Sequence, residues 1–419
     1  MAFLEHWFKK LLPAMVICMA MAVPAHAQSF VVGRGLNLDQ WVTWPAEKQW
    51  GDRKVMLPFP EWRKTLDAEG LKRLKAAGFD FVRMPVDPSP FLSDVSADLR
   101  EELLASIAES AVLINQAGLK VIVDLHLILA DNTRKIGMRE VMDDPIMFDR
   151  YLGVVRDVGR AISQLDPAMV AFETMNEPVI GCEGDEQSVW EDRMMRLFAA
   201  ARSSATRLTI VLSGGCWGGA DGLSALDPKM VPDDKIIWSF HSHAPFLLST
   251  QGATWAGDFI RYVTGLPYPF SRVSADELAR IVDGIKNRIR KEAPLVQRDA
   301  HIAHLDRLLA EVDTAEKMEA VIERPFKLVD EWAQKHGIAP AQILLGEFGM
   351  IRQEHGQDFV IPPDWRAAFY HDVIDHAERH GFAWSMWSYG GAFGVVEEFE
   401  LRPAEPAVLD MVRSLPARK

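Results

Sequence analysis

Two glutamates occupy settings in which a chain could present paired carboxyl groups. Glu177 follows Asn176, and Glu347 is bracketed by Gly346 and Gly349, small residues that leave room for a ligand near the backbone. Paired carboxyls can cleave a glycosidic bond if one stays protonated to serve the leaving oxygen and the other, ionised, faces the anomeric carbon. A separation of ~5–5.5 Å leads to retention and ~6.5–9.5 Å to inversion. Sequence spacing cannot measure that distance; it only makes the retaining geometry available. Arg83, His126, His241, His243 and Trp387 are further polar or aromatic candidates for such a site. Any one of them alone reads as a satisfied structural group.

The elements that must position these residues follow a regular rhythm. Apolar, β-branched runs at 31–38, 79–86, 120–126, 169–177, 208–214, 236–243, 343–349 and 382–389 read as eight strands. Amphipathic stretches at 61–77, 97–116, 145–164, 188–205, 325–336, 363–380 and 407–414 read as helices. Gly78, Gly118 and Gly381 stand where a left-handed residue would close a helix before the next strand. This alternation predicts an α/β fold, a (β/α)8 TIM barrel, with a long helical insertion after strand 6 at about 245–323. A doubly wound open sheet is the alternative, but no Gly-rich phosphate loop follows the first strand. In a barrel, chemistry collects at the C-terminal ends of the strands. Arg83, His126, Asn176, Glu177, His241, Glu347 and Trp387 all fall near predicted strand ends, a convergence that packing alone explains poorly.

Composition narrows the function classes. The chain has 419 residues, is 48% hydrophobic and carries a formal net charge of −13, which disfavours a nucleic-acid backbone as partner. Lys9 and Lys10, the apolar run 11–23 and Ala25-His26-Ala27 form an export-signal pattern over 1–27; an uncleaved anchor helix is the other reading. Residues 28–419 are expected to form a single catalytic domain without an appended binding module, exported to the periplasm or medium as a monomer without stable membrane association. Cleavage would leave Cys182 and Cys216, which export permits to pair and which lie beyond neighbouring strands; two thiols alone leave the pairing open.

Several segments resemble glycoside hydrolase family 5, the cellulase-like family of retaining β-glycanases. They are Gly35-Leu36-Asn37-Leu38, Val82-Arg83-Met84-Pro85-Val86, Asp124-Leu125-His126, Phe172-Glu173-Thr174-Met175-Asn176-Glu177-Pro178, Phe240-His241-Ser242-His243, Gly346-Glu347-Phe348-Gly349 and Trp384-Ser385-Met386-Trp387-Ser388-Tyr389. The resemblance implies Glu177 as acid/base and Glu347 as nucleophile. It implies that Asn176 binds the sugar 2-hydroxyl, Arg83 keeps Glu347 ionised, His126 contacts the sugar and His241 joins the carboxylate network. Trp387 would be the platform beneath the reacting sugar. Many members carry Tyr at the place of His243, so this imidazole is expected to add a pH dependence near neutrality. Tyr389 is a candidate substitute for that phenol.

The implied activity is an endo-β-1,4-glucanase needing no cofactor or metal, acting on a β-linked polysaccharide or oligosaccharide. A β-mannanase, another β-glycan or exopolysaccharide hydrolase, and a transglycosylase share the same chemistry. A non-catalytic carbohydrate-binding barrel is the rival of another class. Glu173 shares a strand face with Glu177 by the two-residue period and reads as a carboxylate paired inside the barrel. Trp41, Trp44, Trp217, Phe246 and Trp255 are open as outer sugar platforms or as packing residues.

Overall fold

A computed structural model of the chain describes residues 30–39, 41–57, 66–395 and 406–418. Eight parallel strands close into a barrel in chain order, with β1 pairing both β2 and β8. They are β1 Arg34–Asn37, β2 Phe81–Val86, β3 Lys120–Leu125, β4 Val170–Glu173, β5 Thr209–Ser213, β6 Ile236–His241, β7 Ile343–Phe348 and β8 Ala383–Met386. The expected TIM barrel is therefore the observed fold.

The barrel interior is layered by the two-residue period of its strands. Phe81, Ile122, Ala171, Val211, Ile237, Leu344 and Ala383 form an apolar floor distinct from the main core. A Cβ at Gly35 would lie 2.3 Å from the Phe81 ring, so β1 contributes space to that floor instead of a side chain. Two residues further along each strand come Asn37, Arg83, Asp124, Glu173, Ser213, Ser239, Gly346 and Ser385. Successive residues of a strand alternate faces, so this second set points the same way as the first and forms a polar layer above it. The main core lies outside, between strands and helices, and contains residues such as Val82, Val121, Phe172 and Phe240.

Helix boundaries show which local signals dominate. The helix Ala68–Ala76 starts at Asp67, whose side chain accepts from the Gly70 N–H, while residues 61–65 of the expected helix lie outside the described ones. Gly78, Gly118 and Gly381 do adopt left-handed φ, at 108°, 80° and 75°. Pro325, which the sequence places at the start of a helix, lies inside Ala315–His336, which Thr314 caps by accepting from the Lys317 N–H. A favourable cap and seven buried residues along this helix offset the hydrogen bond that an internal proline removes.

Ala275–Glu292 and Arg298–Ala310 are two long helices within the connection after β6. Arg288 ties the first of these to the Tyr262 carbonyl, and Phe259 packs on His304 of the second. The predicted leader, 1–27, lies outside the described residues; among those described, no helix is long and apolar enough to cross a membrane.

Candidate active site

Arg83 is the centre of the polar layer and is fully buried. Its Nε and Nη2 donate to the two oxygens of Glu173 at 2.7 and 3.0 Å. Nη1 donates to Glu347 Oε1 at 2.6 Å and to Asn37 Oδ1 at 3.0 Å. Nη2 also donates to Asn176 Oδ1 at 2.7 Å and lies 2.9 Å from Asp124 Oδ2. Glu173 is thus the paired interior carboxylate expected from its strand position.

One guanidinium therefore serves three buried carboxyl groups. Burial pushes Asp124 up to about 7 despite the pull of Arg83, and Glu177 adds to the rise. Burial likewise raises Glu173, Glu177 and Glu347 above the ordinary carboxyl range. His241 and Arg83 pull Glu347 back down. Burial opposes the charge of Arg83, but Asp124, Glu173 and Glu347 together hold its pKa well above the usual value. With more acids than cations in a desolvated space, the cluster retains protons toward neutrality.

Glu347 reaches the barrel interior through a break in strand register. Phe240 pairs with Leu345, but the next residue, His241, pairs with Glu347, so Gly346 is an extra residue on β7. Such a bulge re-aims the following side chain, and both Gly346 and Glu347 face inward as a result. The glycines around Glu347 leave room for protein, contrary to the expected ligand approach. A Cβ on Gly346 would lie 2.5 Å from Ser239 Oγ and 2.8 Å from His241 Nε2. One on Gly349 would lie 2.2 Å from the Trp387 carbonyl oxygen.

Glu177 arrives differently. The fourth strand, predicted to run to 177, ends at Glu173, and Glu177 has a left-handed φ of 34°. Its carboxyl is partly exposed, and Oε1 lies 2.9 Å from His241 Nδ1. Carboxylate oxygens of Glu177 and Glu347 and a nitrogen of His241 all lie within 4.8 Å of one another. Three such donors could hold a cation, but Arg83 already places a positive charge on Glu347, an arrangement better suited to a neutral ligand. Burial lowers His241 to about 4, so its imidazole is neutral near pH 7.

His126 and Asn176 are oriented by the same network. His126 Nδ1 lies 2.8 Å from Asp124 Oδ2, and the Asn176 amide nitrogen lies 3.3 Å from His126 Nε2. Once Asp124 is ionised, its carboxylate at Nδ1 fixes the imidazole proton there, leaving Nε2 to accept from Asn176. Arg83 holds the Asn176 oxygen, so the amide retains one N–H for a ligand. Trp387 stacks on His126 with ring centroids 5.3 Å apart and planes 13° apart. All eight candidate residues thus gather at one end of the barrel.

His243 lies beyond the end of β6 and packs near Phe393, with centroids 6.3 Å apart. Its electrostatic partner is Glu177, and burial lowers its pKa below the ordinary imidazole value, away from the expected titration near neutrality. Burial and Asp67 push the Tyr389 hydroxyl up to about 12 against the pull of Arg73. Trp41 and Trp44 are buried, and Trp44 donates to the Asp87 carbonyl, so both pack instead of lining a groove. Trp217, Phe246 and Trp255 remain exposed.

The roles of Asn37 and Asp124 emerge only from the folded barrel. Asn37 donates to the Gly346 carbonyl at 3.0 Å and accepts from Arg83, tying β1 to β7 and β2. The available signal was their place two residues beyond the interior floor, a polar residue on an otherwise apolar strand. Cys182 and Cys216, left open from sequence, form a disulfide with Cα atoms 5.4 Å apart.

Comparison with known proteins agrees with this architecture. The family model described as cellulase (glycosyl hydrolase family 5) matches residues 46–393. Endoglucanase C of Acetivibrio thermocellus is 21% identical over 357 residues, covering 85% of this chain and 90% of the relative. The solved cellulose synthase subunit Z of Clostridioides difficile superposes with a TM-score of 0.63 at 20% identity, covering 91% of this chain and 99% of its own. Thermotoga maritima Cel5A, solved in complex with mannotriose, gives a TM-score of 0.61 at 18% identity, with 92% and 98% coverage.

Proposed function

The chain belongs to glycosyl hydrolase family 5, the cellulase family, and is a glycosidase; from that premise we propose that it is a retaining endo-β-1,4-glucanase. Glu347 is the nucleophile and Glu177 the acid/base. The observation that carries this reading is the approach of their oxygens to within 4.8 Å, with Arg83 bound to Glu347 alone of the two. That spacing supports retention, for which the carboxyl groups stand ~5–5.5 Å apart.

In the first step Glu347 attacks the anomeric carbon while Glu177 gives its proton to the departing glycosidic oxygen. A glycosyl ester on Glu347 results, and the leaving sugar departs as an alcohol. In the second step Glu177 takes a proton from water, whose oxygen attacks the anomeric carbon and releases Glu347 as a carboxylate. Arg83 favours ionised Glu347 through a charge-assisted hydrogen bond. Glu177, hydrogen-bonded to neutral His241 and not to Arg83, is the carboxyl better placed to keep a proton. The remaining Asn176 N–H serves the sugar 2-hydroxyl, His126 contacts the same sugar, and Trp387 supports its C–H face. His243 lies on the acid/base side and influences Glu177.

The substrate is a β-1,4-glucan by analogy with endoglucanase relatives; the mannotriose complex of a structural neighbour motivates mannan as the second substrate to test. We further propose that residues 1–27 are a cleaved leader, that the remainder is one catalytic domain, and that the monomer works in the periplasm or medium. The disulfide supports an oxidising location. The test is an assay of the protein and its Glu177→Gln and Glu347→Gln variants on β-glucans and mannans, with the first anomer formed followed by NMR. Full activity in either folded variant, or an inverted first product, refutes the assignment.

A further inference from the structure

Among the described residues, the non-glycine positions with left-handed φ are Glu177 at 34°, Cys216 at 52° and Trp217 at 58°. A Cβ disfavours this conformation, and here it occurs three times within one pair of loops. The loop after β5 is stitched to the loop after β4: Cys216 N–H donates to Ile180 O at 2.7 Å and Trp217 N–H to Pro178 O at 3.2 Å. The Cys182–Cys216 disulfide closes the same two loops.

The stitching reaches the reacting carboxyl. Gly218 is packed against Glu177 and His241: a Cβ there would lie 3.8 Å from Glu177 Cα and 3.9 Å from both Glu177 Cγ and His241 Cγ. Gly219 then bridges to His241, the residue 2.9 Å from the Glu177 carboxyl. Trp217, between the disulfide and this packed glycine, leaves 48% of its surface exposed. The acid, its hydrogen-bond partner and an exposed aromatic thus belong to one tied unit.

We propose that the Cys182–Cys216 disulfide is a positioning element of the active site, clasping these loops so that Glu177 and Trp217 meet the leaving-group side of the scissile bond together. The proposal rests on the acid/base reading of Glu177. Its consequence depends on the leaving group. A sugar departs as a poor leaving group and needs a proton from a well-placed acid, whereas dinitrophenolate departs without one and has no sugar to rest on Trp217. Loosening the clasp therefore selectively slows cleavage of natural bonds. General loss of folded enzyme would slow both reactions equally.

The experiment compares kcat/KM, which reads the first chemical step, for two substrates. One is the longest β-1,4-gluco- or manno-oligosaccharide that the protein cleaves; the other is the 2,4-dinitrophenyl glycoside of the matching disaccharide. In Cys182→Ser/Cys216→Ser, the loss on the oligosaccharide is expected to exceed the loss on the dinitrophenyl glycoside by about tenfold or more. The basic limb of the oligosaccharide pH profile should also move, because it reports the protonated acid. Both cysteines are only half-buried, so the folded protein treated with dithiothreitol gives the same comparison if the double variant does not fold. Equal losses, or none, in protein whose free thiols are verified by mass overturn the clasp. An unmodified protein inactive on every substrate overturns the acid/base reading, and the clasp with it.

Discussion

Replacing Arg83 with lysine keeps the charge but removes the planar fork, so it tests the polar layer directly. Arg83 reaches Glu173 through two nitrogens, Glu347 and Asn37 through Nη1, and Asn176 and Asp124 through Nη2. One ammonium with three donors at a single atom cannot span all these groups. Loss of a partner from a buried ion pair costs ~3–5 kcal/mol, and the retained charge places Arg83→Lys toward the lower end of that range. The effect should appear in urea unfolding as a lower midpoint at unchanged slope. Catalysis adds a direction that stability does not. Arg83 lowers the pKa of Glu347, so weakening its contact raises that pKa and leaves less nucleophile ionised. The acidic limb of kcat/KM should move to higher pH, and at a fixed pH on that limb the rate falls about tenfold for each tenfold loss of ionised Glu347. A folded variant whose acidic limb stays in place would refute the argument that Arg83 sets the ionisation of Glu347.

Asp124, raised from 3.8 to about 7, favours the folded state in its protonated form. Its stabilisation is full below its unfolded value and is lost as pH rises through about 7; melting temperature should therefore fall over that window, with a flatter slope in Asp124→Asn. Gly346→Ala would push against Ser239 and His241 and should cost ~1–3 kcal/mol by overpacking, measurable by thermal unfolding, with activity falling as His241 is displaced. His243 is neutral on the basic side because burial lowers its pKa, so His243→Gln should leave the basic limb, which Glu177 sets, within about half a pH unit of its place. A larger displacement of the basic limb would assign His243 a charge at that pH.

The strand rhythm, the glycines that end three helices and the two glutamates able to act as a pair are all legible in the primary structure. They are legible because strand periodicity, left-handed caps and residue chemistry are local properties. What the chain order leaves open is equally physical. Period two says that Arg83 and Asp124 point inward from their own strands, but only barrel closure brings them to Glu347, whose inward aim depends on an extra residue opposite β6. The same closure fills the space beside Gly346 and Gly349 with protein, turns Trp44 into a packing residue, and draws His243 toward Glu177. Whether Cys182 and Cys216 meet is likewise a distance between loops separated by a strand and a helix. These neighbours come from the folded barrel, because contacts across a closed sheet join residues with no fixed sequence separation.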